Sequence, residues 1–157
     1  FDRIVSIEMM EHLRNWPRLL SLMKTWLRPE GAAFVHVFCH RTTPYLFDPS
    51  GPGDWMSREF FSGGIMPSLD LLPSIDEDMF VEQQWEWSGV EYAKTAEAWL
   101  QHLDSNRSAA LRVLTGDPHG AKRALQRWRM FFLACAECFA IDGGERWLVG
   151  HYRLRPR

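Results

Sequence analysis

The apolar positions change period along the chain, and each change marks an element. Asp2-Arg3-Ile4-Val5-Ser6-Ile7 joins β-branched residues to a charged start and ends on Glu8, which predicts a strand giving way to a loop or helix. Asn15 then offers an N-cap and Pro17 suits a first turn, while Leu19, Leu20, Met23, Trp26 and Leu27 recur at helical spacing up to Pro29-Glu30-Gly31. The spacing predicts a helix over residues 16–27. Ala32-Ala33-Phe34-Val35-His36-Val37-Phe38 is a continuous apolar run, the pattern of a strand covered on both faces in a parallel sheet. Strand, helix and strand together make a right-handed crossover unit.

Residues 41–67 carry Pro44, Pro49, Pro52 and Pro67 with Gly51, Gly53, Gly63 and Gly64, too many breakers for regular structure beyond a turn near residues 57–61. A loop of this length is expected to cover a site. A short helix is predicted over residues 68–74 and a strand with partial alternation over residues 79–87. Thr95 is expected to cap a helix running to about Leu114. After Asp117-Pro118 a second helix places Ala121, Leu125, Trp128, Phe132, Cys135 and Phe139 on one stripe and stops at Gly143-Gly144. Residues 146–154 read as a last strand, at the chain end of the sheet.

Composition narrows the picture. A chain of 157 residues, 46% hydrophobic and 24% charged, has apolar surface for one core, so a single domain over residues 1–157 is expected. With 18 basic and 20 acidic side chains the net charge is -2, which gives no general attraction for phosphate backbones and argues against a nucleic-acid partner. The longest apolar stretch, residues 130–141, is too short to cross a bilayer and contains Glu137, so no integral membrane segment is expected. The first residues lack both an initiator Met and the regions of a signal peptide, and the chain is expected to begin in mid-fold.

Three cysteines without a secretory signal predict reduced thiols in the cytoplasm. Cys135 and Cys138 form a Cys-x-x-Cys, but its helical, apolar context and the lack of a second pair assign it to the core rather than to metal or redox chemistry. His36, His40 and His151 are expected to pack or to sit at polar edges, not to bind a metal. Eight tryptophans and ten phenylalanines bring the aromatic share to 13%, and such rings both fill cores and wall pockets.

The candidate chemistry lies in Glu8-Met9-Met10-Glu11-His12, at the C-terminal end of a predicted strand, where open α/β sheets bind ligands. Two carboxylates and an imidazole suit an amine substrate, because they accept the proton that blocks the nitrogen lone pair. The same residues also suit a solvated helix start, where acidic side chains favour the positive end of the dipole. Spacing leaves both readings open.

The wording goes further. Phe1-Asp2-Arg3-Ile4-Val5-Ser6-Ile7-Glu8-Met9-Met10-Glu11-His12, then Phe34-Val35-His36-Val37-Phe38-Cys39-His40, Phe60-Phe61-Ser62-Gly63-Gly64-Ile65-Met66-Pro67-Ser68 and Gly89-Val90-Glu91-Tyr92-Ala93-Lys94-Thr95 resemble the coclaurine N-methyltransferase and cyclopropane fatty acid synthase family. The resemblance continues through Trp128-Arg129-Met130-Phe131-Phe132 to Trp147-Leu148-Val149-Gly150-His151-Tyr152.

The resemblance implies an α/β fold: the C-terminal part of the seven-stranded, Rossmann-like sheet of class I methyltransferases, with a helical insertion covering the substrate and residues 1–7 on the fourth strand. The acidic-glycine loop that holds the cofactor S-adenosylmethionine is then expected before residue 1, and no G-x-G-x-x-G occurs in the chain. It further implies methylation of an amine on a hydrophobic or aromatic small molecule, with Glu8, Glu11 and His12 around the nitrogen and Phe61, Trp128 and Phe131 as rings against the substrate. Ordinary core packing is the alternative for those rings, and for Trp128 above all. Glu8 is similar to the amine branch, whereas the cyclopropane synthases have Gly there and act on unsaturated acyl lipid, which is the alternative substrate class. A noncatalytic remnant is a third reading. Two departures are Met10, in place of an aromatic residue and expected to soften the pocket, and Glu91, in place of His.

Overall fold

The nine-residue run Ala32–His40 (β2) is the spine of a four-stranded sheet in the computed structural model, which describes residues 1–51 and 54–157. Its side chains are buried or half-buried throughout, as a continuous apolar run requires. Arg3–Ile7 (β1) pairs with it in parallel, Val5 opposite Phe34 and Ile7 opposite His36. Between the two strands runs Trp16–Trp26 (α1), where the Asn15 side chain accepts from the Arg18 amide at 3.0 Å and Pro17 sits in the first turn, as the sequence predicts. Leu20 and Met23 of this helix join Val35, Val37, Leu148 and Leu154 in the core.

The other two strands are antiparallel. Met79–Trp87 (β5) and Trp147–Pro156 (β6) complete the order β1-β2-β6-β5. β6 is the last strand in sequence, yet it is inserted between β2 and β5 rather than placed at the end of the sheet. Its burial explains why: residues 148–152 are all buried, a pattern that needs neighbours on both edges.

The breaker-rich stretch holds more structure than expected. Tyr45–Leu46 (β3) pairs with Ile65–Met66 (β4), and Trp55–Glu59 (α2) lies between them, while Pro52 and Gly53 fall outside the described residues. The predicted helix over residues 68–74 is instead a series of turns. Pro73 has no amide hydrogen to give to the Leu69 carbonyl, which accepts instead from the buried Tyr152 hydroxyl at 2.8 Å, while Ser68 bridges to His40.

Those strands and α1 form one unit, Phe1–Trp87 with Trp147–Arg157; Ser88–Arg146 forms a second, helical unit. Its first helix is Gly89–Ser105 (α3), capped by Ser88, whose hydroxyl accepts from the Val90 amide at 3.3 Å. Thr95 is therefore not the cap; it lies inside the helix with its hydroxyl donating back to the Glu91 carbonyl at 2.9 Å. Asn106 breaks the run, its side chain donating to the His102 carbonyl, and Arg107–Val113 (α4) follows. Ala121–Ala140 (α5) buries Leu125, Cys135 and Phe139 as the stripe predicts, but Trp128 is exposed. Cys39 and Cys135 are buried and Cys138 is half-buried, all as free thiols. No helix among the described residues is long and apolar enough to cross a membrane.

Candidate active site

The C-terminal end of β1 delivers the acidic cluster. Glu8 leaves the strand with φ 49°, in the left-handed region, and its amide donates to the His36 carbonyl at 3.1 Å. The backbone then coils into a single 3-10 turn, Met10–His12. Trp16 clamps that turn, its indole N–H lying 2.9 Å from the Met10 carbonyl and 3.1 Å from the Leu13 carbonyl. Met10 itself is fully buried in the core beside α1, so it does not soften a pocket; the flexible thioether fills the interior where the resemblance has an aromatic ring.

Glu11 is 1% exposed, and its Oε2 has no hydrogen-bond partner. Burial pushes its carboxyl up to about 7; a hydrogen bond from its own backbone amide opposes the rise and the charge of Glu8 adds to it. Such a group exchanges protons near neutral pH, as a general base requires. The His12 imidazole stands 3.8 Å from Glu11 Oε1 and stacks on Phe61, with ring centroids 5.5 Å apart and planes 18° from parallel. Phe61 in turn meets Phe47 at 5.0 Å and Phe38 at 5.7 Å. An open cleft of about 470 Å³ runs past His12 along Leu13, Leu19, Leu22 and Gly63. The structure thus brings Glu8, Glu11, His12 and Phe61 together at one end of the sheet. Trp128 and Phe131 lie on α5 in the helical unit, with ring centroids 5.8 Å apart.

Sequence reasoning missed the partners of Glu8. Its Oε1 lies 2.9 Å from His36 Nε2, and His36 Nδ1 lies 2.8 Å from His151 Nε2. His36 and His151 are cross-strand partners of β2 and β6, a register that spacing alone does not reveal. The one available signal was an imidazole in the middle of each of two apolar strands. Burial, and secondarily His36, holds the His151 imidazole below its ordinary pKa. Among the described residues no group of three or more His, Cys, Asp or Glu side chains is placed to hold a metal ion.

Residues 1–145 match the family described as mycolic acid cyclopropane synthetase. (S)-Coclaurine N-methyltransferase of Papaver somniferum is 33% identical over 162 residues, which cover 100% of this chain and 46% of that protein. Cyclopropane-fatty-acyl-phospholipid synthase of Escherichia coli strain K12 is 28% identical over 95% of the chain and 37% of its own length. The chain therefore spans about half the length, or less, of the curated relatives it matches. Among solved structures, coclaurine N-methyltransferase bound to N-methylheliamine and SAH superimposes with a TM-score of 0.87 at 29% identity, covering 99% of this chain and 48% of that one. The cyclopropane synthase MmaA2 of Mycobacterium tuberculosis shares the fold, with a TM-score of 0.74 at 19% identity over 98% of this chain and 55% of its own.

Proposed function

Because the chain belongs to the mycolic acid cyclopropane synthetase family, we propose that it forms the acceptor side of an S-adenosylmethionine-dependent methyltransferase that N-methylates an amine on a hydrophobic or aromatic small molecule. The observation that carries this reading is the pairing of a buried carboxyl near pH 7, Glu11, with a second carboxylate at Glu8 and a ring-stacked imidazole at His12. The orphaned Oε2 of Glu11 supports a positively charged neighbour, and a sulfonium or an ammonium is such a group. The cofactor supplies, when bound, a methyl group made electrophilic by sulfonium.

The chain's own residues do the rest. An amine reaches the site largely as ammonium, which has no lone pair; Glu11 takes the proton and frees the nitrogen. His12 stands next to Glu11 and passes that proton on toward the cleft, to which it is open. Glu8 keeps a negative charge beside the nitrogen as it becomes cationic, and the face of Phe61 favours the same charge. Holding the nitrogen in line accounts for several kcal/mol of the barrier. On the resemblance, Trp128 and Phe131 are further ring contacts to this class of acceptor, and residues 1–157 act as one C-terminal functional part. The reading places the protein in the cytoplasm, where its three thiols stay reduced.

The second reading is modification of an unsaturated acyl chain, supported by the Escherichia coli relative and by the family description. Glu8 weighs against it, since the resemblance puts Gly there in cyclopropane synthases. Full-length protein incubated with labelled S-adenosylmethionine decides between them, with a panel of benzylic and isoquinoline-type amines on one side and an unsaturated phospholipid on the other. Labelled amine is expected; labelled lipid alone would replace the first reading with the second, and no transfer to either would leave the noncatalytic remnant.

A further inference from the structure

We propose that His151 and His36 are positioning residues that hold the Glu8 carboxylate in place through two aligned imidazole N–H donors, His151 acting through His36. The inference rests on the methyltransferase reading for its activity assay, but its structural content stands on the three side chains alone.

The chain of contacts leaves few ways to place the hydrogens. Glu8 Oε1 is 2.9 Å from His36 Nε2, and His36 Nδ1 is 2.8 Å from His151 Nε2, so each contact holds one hydrogen. If Glu8 is ionised it only accepts, and His36 Nε2 must carry a hydrogen toward it. A neutral His36 then has a bare Nδ1, which requires a hydrogen on His151 Nε2. His151 is kept neutral by burial, so its Nδ1 is bare as well. The structure agrees: His151 is 7% exposed and its Nδ1 has no partner. A lone pair left unmatched there costs less than a buried, unmatched N–H, because orphaned acceptors are tolerated more readily than orphaned donors.

The rest of the setting is apolar and fixes the ring. Trp87 of β5 meets His151 edge-on at 4.9 Å, and Phe34 of β2 stacks on it at 5.7 Å. His36 is held edge-on to His151 at 4.7 Å, opposite it across the β2–β6 ladder. A hydrogen-bonded row of this kind polarises along its length, so the far ring strengthens the bond the near ring makes to the carboxylate. Glu8 sits on left-handed backbone at the strand end, and this row meets its carboxylate at Oε1. Without His151, His36 is free to take its other tautomer and turn a lone pair toward Glu8, which repels the carboxylate from the acceptor site.

Nitrogen NMR of full-length protein labelled in the histidine rings is the first test. Both His36 and His151 are expected as neutral Nε2–H tautomers, with His36 becoming a tautomer mixture in His151→Phe. The second test is methyl transfer: His151→Phe is expected to lower kcat about tenfold with KM within about twofold, and His151→Gln, whose amide keeps an N–H for His36, to recover most of the rate. An Nδ1–H tautomer at His36 in the unmutated protein overturns the proposal, as does a His151→Gln no better than His151→Phe. If the unmutated protein methylates no amine, the functional reading falls, and the tautomers of the unmutated protein decide this inference by themselves.

Discussion

Gly64 packs so closely on the 3-10 turn that a Cβ at that position would overlap the carbonyl oxygen of Glu11. The glycine is thus needed for the room it leaves rather than for an unusual φ, and it ties β4 to the acidic cluster. Gly64→Ala is expected to push the turn away, lowering methyl transfer at least tenfold and stability by about 1–3 kcal/mol, the range for overpacking. Turnover and urea unfolding measured side by side check this; a fully active Gly64→Ala protein would show that the turn has slack.

Glu11→Gln and His12→Ala are each expected to lower methyl transfer by about 10²-fold or more, the scale of an acid–base group. Cofactor affinity, measured separately by calorimetry, is expected to stay the same, because the proposed function sets the cluster against the acceptor. In the unmutated enzyme the rate is expected to rise with pH through about 7, where Glu11 loses its proton, and Glu11→Gln is expected to abolish that limb. Unchanged turnover in both variants would remove these residues from the chemistry.

The same carboxyl makes stability depend on pH. Its folded value of about 7 exceeds the ordinary 4.5, so between those limits the folded state binds more protons than the unfolded state and stability falls as pH rises. The loss levels off above about pH 7 and amounts to at most about 3 kcal/mol, at 1.36 kcal/mol per unit. Relative to the unmutated protein, Glu11→Gln is therefore expected to gain stability from pH 4.5 to about pH 7 and to hold that gain above it. Denaturant titrations at several pH values test it, and a stability difference that does not change with pH contradicts the burial argument.

Glu8→Gly separates backbone from chemistry. Glycine adopts φ 49° without strain, so folding is expected to change by no more than about 1 kcal/mol while the carboxylate is lost. Amine methylation is expected to fall more steeply than any transfer to unsaturated phospholipid. Equal loss on both substrate classes would deny Glu8 a selective role.

Trp16→Phe keeps the ring in the core but removes the N–H that holds the Met10 and Leu13 carbonyls. The Met10 carbonyl still accepts from the Leu13 amide, so a cost of only about 1 kcal/mol is expected from the lost indole bond. A rise in KM together with a fall in kcat is expected as the Glu11-His12 turn loosens. Kinetics indistinguishable from the unmutated enzyme would mean that the turn is held by other contacts.

The local instructions were written in the sequence. The Asn15 cap, the Pro17 first turn and the apolar run of β2 act over a few residues, and each formed where its pattern predicts. The cluster Glu8, Glu11 and His12 was legible for the same reason, since neighbours along the chain stay neighbours at a strand end. Where the sequence misled, a competing group had overridden the first local preference. Residues 68–74 were expected to be helical, but Pro73 cannot donate to the Leu69 carbonyl, which Tyr152 fills; Thr95 is a good cap, but Ser88 stands earlier and the helix starts there. The insertion of β6 between β2 and β5 was beyond reach, because strand order depends on which edges bury the most surface and not on order along the chain. That insertion alone sets His151 against His36 and, through it, against Glu8. Sequence determined which side chains stand together at the strand end for the proposed chemistry; only the tertiary pairing of strands more than a hundred residues apart decided what lies against Glu8 through His36, since hydrogen bonds between such residues exist only once the sheet has closed.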